Sequence, residues 1–371
     1  MNSYPKMQVS GALFTACLFA MLGVSAEASA CASATQRMRE IRNIDRTADT
    51  LLLAHRGLWG PLNSRPEIPE NSLGSVESAM NSCVDGIEVD VKMTSDGVPV
   101  LMHDLNLGRT TNYYEVMRVP KYNPITNQGS NPPVSSVTWN FVKNLKLLYD
   151  NRNAISRFTV PSAEMALQLW ADKPNPAPII FDIKTADAVA AVDKLAAKYS
   201  SVPHLTAAIK VNASLFPTPA DYRRYANNVT AIPVFTTNML EKISIASSFN
   251  AWVTEVGTLE INVKQPNGLL SFQKTQAGQR MRKVAVFHAI PDGPYPNNFY
   301  NNTGACCYKL SDLHFTYRVN GQIAGRDTDD RRHDINFLYD QGFGLITTDG
   351  MRDDLDFLTR NGRRKTHPQR L

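Results

Sequence analysis

From residue 50 onward, short apolar runs of strand length alternate with stretches of helical character, and this alternation constrains the fold more than any other feature of the chain. The strand candidates are 51–54, 86–93, 98–102, 179–183, 205–211, 231–235, 251–256, 283–289 and 344–348, with helices read over 72–83, 162–170, 186–199 and 218–226. Strands separated by helices predict βαβ crossovers and a parallel sheet. Eight or so strands over about 300 residues predict an α/β fold, a TIM (β/α)8 barrel. An open doubly wound sheet is the structural rival, but no Gly-x-Gly-x-x-Gly follows a strand to support a dinucleotide fold. Residues 112–161 and 291–330 break the alternation and are rich in Asn and Pro. Loops of that length inside one domain read as lids or structured insertions, the first holding a short helix near 139–149. No repeat or linker marks a second domain.

The N-terminus reads as a targeting segment. Lys6 precedes an uncharged apolar stretch over 11–26, followed by Ala28-Ser29-Ala30. That is the pattern of a cleavable signal peptide over 1–30, too short to span a bilayer, and it predicts a secreted or periplasmic protein. Lipoprotein processing at Cys31 is the less favoured alternative. Residues 31–50 then form an N-terminal extension and 51–360 the barrel. Export would leave Cys31, Cys83, Cys306 and Cys307 in an oxidising compartment where disulfides form. Joining the adjacent Cys306 and Cys307 strains the backbone, which makes bridges from this pair to Cys83 or Cys31 plausible, but the connectivity is not legible in the sequence. Three Asn-x-Ser/Thr triplets, at Asn212, Asn228 and Asn301, matter only in a eukaryotic host.

The net charge of +5 is mildly basic, and Arg360, Arg363, Arg364, Lys365 and Arg370 cluster at the C-terminus. Such a run reads as a solvated basic tail over 361–371. There is no zinc-finger spacing, no aromatic RNA-binding strand and no long basic stripe, so a nucleic-acid partner is not expected. No later segment is apolar enough for an integral membrane span. Oligomeric state is not legible.

The chemistry-bearing residues crowd between His55 and Asp104. Glu88 and Asp90 lie two apart on one strand, so both side chains point to the same face. Ile87, Val89 and Val91 point the other way, toward helices. Two carboxylates sharing a low-dielectric interior call for a cation or a proton between them, and a bound metal is the simplest answer. His55 ends one apolar run and His103 the next, which places both at the C-terminal mouth where barrels of this kind keep their active sites. Asp182 and Lys184 repeat the inward pattern on another strand. Taken singly, each of these signals has an ordinary explanation, since a strand-end histidine is commonly structural and Asp96-Gly97 is a plain turn. Their joint occurrence within some fifty residues is the informative observation.

These pieces resemble the glycerophosphodiester phosphodiesterase family, a phospholipase C-like type of TIM barrel. The matching runs are His55-Arg56-Gly57, Pro69-Glu70-Asn71, Glu88-Val89-Asp90, Asp96-Gly97-Val98-Pro99-Val100 leading to His103-Asp104, and Arg109-Thr110-Thr111. Asp182-Ile183-Lys184 and Gly344-Leu345-Ile346-Thr347-Thr348-Asp349 match less specifically. The resemblance implies one divalent cation held by Glu88, Asp90 and Asp182, with His55 and His103 as the catalytic acid–base pair. Oxygen-only ligands favour Ca2+ or Mg2+ over zinc. Arg56 and Lys184 are the candidate phosphate contacts, and Glu70 supports Arg56 or the rim. Position 182 carries Asp where the family usually has Glu. Phe287 stands where a tryptophan is usual and is the candidate for stacking on the glycerol. The implied function is a secreted, metal-dependent hydrolysis of small glycerophosphodiesters, the attacker being water or the substrate's own glycerol hydroxyl. The alternatives are a sphingomyelinase D-like phospholipase that stops at a cyclic phosphate, and a non-catalytic barrel that captures phosphodiesters.

Overall fold

The computed structural model describes residues 31–371 except 175, 200–205, 282, 366–368 and 370. The expected signal peptide and Arg370 lie outside the described residues. Eight parallel strands close on themselves in chain order: β1 Leu51–Ala54, β2 Gly86–Met93, β3 Ile179–Ile183, β4 Ala207–Asn212, β5 Thr230–Phe235, β6 Leu259–Ile261, β7 Val284–Phe287 and β8 Leu345–Thr348. Closure is direct, with Leu51 beside Leu345 of β8 and Leu53 beside Gly86 of β2. The fold is the TIM barrel that the alternation predicts.

The two-residue period of the strands divides the interior into layers. Leu51 and Leu53 on β1, Ile180 on β3, Ala208 on β4, Ile232 on β5, Ala285 on β7 and Leu345 on β8 form one buried apolar cluster. Met38 and Ile41 join it from the helix Ala34–Ile41, which therefore closes the N-terminal end of the barrel. Residues of the opposite parity, among them Ile87, Val89, Phe181 and Ile209, pack outward into the main core shared with the helices. With the bottom of the barrel filled by hydrocarbon, the inward positions further along each strand carry its polar groups.

Several expectations need correction. The segment 251–256 is not a strand; it is the end of the helix Ile245–Val253, and the sixth strand is Leu259–Ile261. An apolar run such as Ala251-Trp252-Val253 has the composition of a buried strand, and only its packing of Trp252 and Val253 into the outer core identifies it as helix. The run near 98–102 forms Pro99–Leu101, which turns back antiparallel onto β2 and lies outside the closed ring. The cysteines, whose connectivity was not legible in the sequence, pair as Cys31–Cys83 and as the adjacent Cys306–Cys307 rather than through cross-bridges. The Cα atoms of Cys31 and Cys83 lie 5.2 Å apart, ordinary disulfide spacing.

Nor is the basic C-terminus simply a solvated tail. Arg364 is buried, with both guanidinium nitrogens on Asp85, Nη2 at 2.8 Å. Asp85 also accepts the Leu52 amide at 2.8 Å and faces Arg37 at 3.1 Å. One buried carboxylate thus ties the C-terminal segment, the N-terminal helix and β1 together beneath the barrel.

The two insertions are structured. The first contains the helix Trp139–Val142, shorter than expected, and a hairpin of Lys146–Leu148 with Ile155–Thr159. It builds its own core around Leu107, Val134, Val142 and Leu147. The second contains two hairpins, Asn298–Tyr300 with Cys306–Lys309 and Phe315–Val319 with Gln322–Asp327. Among the described residues no helix is long and apolar enough to cross a membrane.

Replacing Asp85 with Ala leaves the Arg37 and Arg364 guanidiniums buried without this carboxylate. The expected loss of folding stability is about 3–5 kcal/mol, read as a shift of the urea unfolding midpoint.

Candidate active site

At the C-terminal mouth most inward positions become polar, with Val234 and Phe287 as apolar exceptions. A cavity of about 280 Å³ is lined by His55, Arg56, Glu88, Asp90, His103, Asp182, Lys184 and Phe287, all of them singled out in the sequence. Glu70 is the one exception, and it lies behind Arg56. Its carboxylate collects three arginines, Arg152 at 2.7 Å, Arg56 at 3.3 Å and Arg109 at 3.5 Å. That concentration of positive charge outweighs burial and holds the Glu70 carboxyl well below its ordinary range.

The turn after β1 sets the first side chains. Arg56 adopts a left-handed backbone conformation, φ 59°, and Gly57 follows at φ 85°. A side chain at position 57 would collide with Ser75, so this turn requires glycine. The strained geometry turns the Arg56 amide onto the Glu88 carboxylate at 3.1 Å and leaves its guanidinium 3.5 Å from Asp90 and 3.4 Å from Asp292. Asp90 is fixed independently by Asn71, whose side chain both donates to the carboxylate at 3.1 Å and accepts the Asp90 amide at 3.0 Å.

Each histidine is backed by a carboxylate. His55 places Nδ1 3.0 Å from both oxygens of Asp349, just beyond β8. His103 places Nδ1 2.9 Å from Asp104, which is itself held by Arg109 through two contacts of 2.7 Å. Locking Nδ1 in this way orients the ring and leaves Nε2 for other work. Phe287 meets His55 edge-on, with ring centres 4.8 Å apart, and so walls one side of that imidazole. Burial alone would lower the His55 pKa, but Asp349 and Glu88 raise it to about 9.

Glu88 and Asp90 divide their shared burden unequally. Burial, reinforced by Asp90 and Asp182, pushes Glu88 up to about 7. For Asp90, His103, Lys92 and Arg56 overcome burial and hold the pKa down. The elevated Glu88 marks a cavity short of positive charge beside that carboxylate, which is the deficit a cation removes. Ligand atoms of His55, Glu88 and Asp90 lie within 4.8 Å of one another, the grouping of metal donors found among the described residues. Asp182 is the register neighbour of Asp90, and Lys184 sits 2.6 Å and 2.7 Å from its two oxygens. The donor chemistry therefore fits a divalent cation at Glu88 and Asp90, with Asp182 adjacent and paired to lysine.

Residues 55–349 match the glycerophosphoryl diester phosphodiesterase family. The chain belongs to that family. Glycerophosphodiester phosphodiesterase 1 of Homo sapiens is 35% identical over 107 residues, 29% of this chain and 29% of that protein. A glycerophosphodiester phosphodiesterase of Caldanaerobacter subterraneus is 43% identical over 63 residues, 17% of this chain and 24% of its own. The aligned stretches thus cover less than a third of these relatives. A crystal structure of a glycerophosphoryl diester phosphodiesterase from Parabacteroides distasonis shares the fold across 89% of this chain and 93% of that one, with a TM-score of 0.57 at 16% identity.

Within this family member, several cavity residues were not anticipated. Lys210 on β4 points inward to Glu260 at 2.5 Å and donates to Thr347 at 2.6 Å. Glu260 in turn accepts from Asn262 at 3.0 Å. An inward lysine in the run Ala207-Ala208-Ile209-Lys210-Val211 is a signal of the same kind as Asp182, and alternation could have found it. Glu260 and Asn262 were hidden because the sixth strand was placed too early. Asp292 and Tyr300 reach the cavity from the second insertion, where no strand period predicts direction.

Asp104 provides a direct test of the histidine support. Arg109 and His103 outweigh burial and lower its pKa to about 2, against about 3.9 in an unfolded chain. Because the folded value is the lower one, this stabilisation is present above about pH 4 and is lost as pH falls toward 2. Wild type should exceed Asp104→Asn by about 2 kcal/mol in urea unfolding at pH 6, with the gap narrowing steadily between pH 4 and pH 2.

Proposed function

We propose that this chain is a divalent-metal-dependent phosphodiesterase that hydrolyses glycerophosphodiesters to an alcohol and glycerol 3-phosphate. One observation carries the reading: two imidazoles, each tied through Nδ1 to its own carboxylate, line a single cavity with Arg56 and the Glu88–Asp90 pair. Phosphodiester hydrolysis needs positive charge at the non-bridging oxygens and proton transfer at both the attacking and departing oxygens. The cavity holds groups for each task.

Glu88 and Asp90, with Asp182 alongside, would hold the cation, and their hard oxygens suit Ca2+ or Mg2+. Once bound, it supplies Lewis-acid charge neutralisation at a phosphoryl oxygen. Arg56 binds a second non-bridging oxygen. Its Nε is buried 3.5 Å from Asp90, so its other nitrogens are the ones that would meet the phosphate. One of His55 and His103 removes the proton from the attacking oxygen, that of water or of the substrate's own glycerol hydroxyl, as it bonds to phosphorus; in the second case a cyclic phosphate forms and water then opens it to glycerol 3-phosphate. The other protonates the alcohol as its P–O bond breaks. Lys184, exposed at the mouth, adds positive charge for phosphate, and Phe287 offers an apolar wall to the glycerol carbons.

Export belongs to the same proposal. The two disulfides support an oxidising compartment, consistent with a cleaved leader over 1–30.

Phosphorus NMR of a glycerophosphodiester panel tests the reading. Glycerol 3-phosphate should accumulate, EDTA should abolish turnover, and Ca2+ or Mg2+ should restore it. His55→Ala and His103→Ala should each lower kcat by about 10²–10⁴-fold. Turnover that survives both EDTA and the double replacement would end the proposal.

A further inference from the structure

The catalytic cavity does not end at Arg56. A second lobe of about 250 Å³ opens beside it and shares Ile290, Asp292 and Asp349 with the first. Asp349 is the carboxylate that holds His55, and Asp292 stands 3.4 Å from Arg56, so the lobe begins next to the reacting groups. A substituent on phosphorus that leaves the first cavity by this side enters it directly.

The lining has a particular chemistry. Trp59, Leu62, Ile290 and Pro291 supply apolar wall, and the ionisable side chains present are all carboxylates. The indole N–H of Trp59 already donates to the His55 carbonyl at 3.0 Å, so the ring is fixed in place and offers hydrocarbon and π surface rather than a donor. Two of the three carboxylates have partners. Asp349 is bound to His55, and Asp292 faces Arg56 and accepts the Tyr300 amide at 3.2 Å. Asp150, from the first insertion, has no ion-pair or hydrogen-bond partner among the described residues; the neighbouring Arg152 turns to Glu70 instead.

We propose that this lobe is the headgroup subsite and that it selects a quaternary ammonium such as choline, with Asp150 as its counter-charge and Trp59 as its aromatic wall. An anionic headgroup would meet three carboxylates. A polyol would lose hydrogen bonds to water against walls that return few. An N-methylated cation has an apolar shell that matches those walls and a diffuse positive charge that carboxylate and indole both attract. Burial, reinforced by Glu70 and Asp292, raises the Asp150 pKa above its ordinary value despite Arg152, and a bound cation would relieve it. The inference rests on the phosphodiesterase reading for its substrate and on the lobe's own chemistry for its ligand.

Two measurements on the full chain separate those dependencies. Calorimetric titration with tetramethylammonium chloride, at constant ionic strength, reads the lobe without any turnover. Wild type should bind it, and Asp150→Asn should bind roughly five- to tenfold more weakly. Equal binding by the two proteins, or none by wild type, overturns the subsite whatever the hydrolysis results. The second measurement is the ratio of kcat/KM for glycerophosphocholine to that for glycerophosphoglycerol. The ratio should favour choline and should fall by the same factor in Asp150→Asn, whereas an unchanged ratio in active enzyme overturns the proposal. If wild type binds tetramethylammonium more tightly than the variant yet cleaves neither diester, the lobe stands and the phosphodiesterase reading falls.

Discussion

Two carboxylates pointing to the same side of one buried strand are the constraint on which the rest of the structure depends. Glu88 and Asp90 cannot both hold their charge inside a barrel without nearby positive groups, and the surrounding architecture supplies them. Arg56 arrives through a left-handed turn, Lys92 extends from the same strand, and His103 faces Asp90 from the loop after Leu101. Glu88 is less well compensated. Its raised pKa locates the remaining deficit beside β2, where the donors suited to a cation converge.

The barrel itself explains why this charge collects at one end. Its N-terminal half is filled by Leu51, Ile180, Ile232 and Leu345, with Met38 and Ile41 from the first helix beneath them. Strand alternation then brings further inward positions to the other end, where solvent and loops can satisfy polar groups. The Lys210–Glu260 pair on the opposite side of the cavity is a self-contained ion pair, closed further by Asn262 and Thr347. It fills that side with polar groups that are already matched.

Orientation of the two histidines comes from different sources. Asp349 lies at the end of a barrel strand and is placed by the ring closure between β8 and β1. Asp104 is placed by Arg109, which also reaches Glu70 and lies 4.5 Å from the Tyr300 ring centre. The second imidazole therefore depends on a chain of contacts running into both insertions. Those insertions also contribute Asp150 and Asp292, so the segments that interrupt the strand–helix alternation shape the space beside the cavity at the barrel mouth.

How much was legible follows from the range of each interaction. The barrel, its mouth and the residues His55, Glu88, Asp90, His103, Asp182 and Lys184 could be read because a two-residue period and a strand end are local facts of the chain, whereas Arg56 and Phe287 were pointed to only by the resemblance to the family. The sixth strand was misplaced because Ala251-Trp252-Val253 has strand-like composition but a helical partner surface. The pairings of Cys31 with Cys83, of Arg364 with Asp85, and of Asn71 with Asp90 were not legible, since they join residues 19 to 279 positions apart or depend on a turn whose direction no period reports. By itself the sequence determined which side chains face the barrel axis and at which end, because strand alternation leaves them no other face. Only the tertiary structure decided which of those groups meet, which carboxylate holds each histidine, and how the cavity continues past Arg56, because these are distances between segments that nothing along the chain encodes.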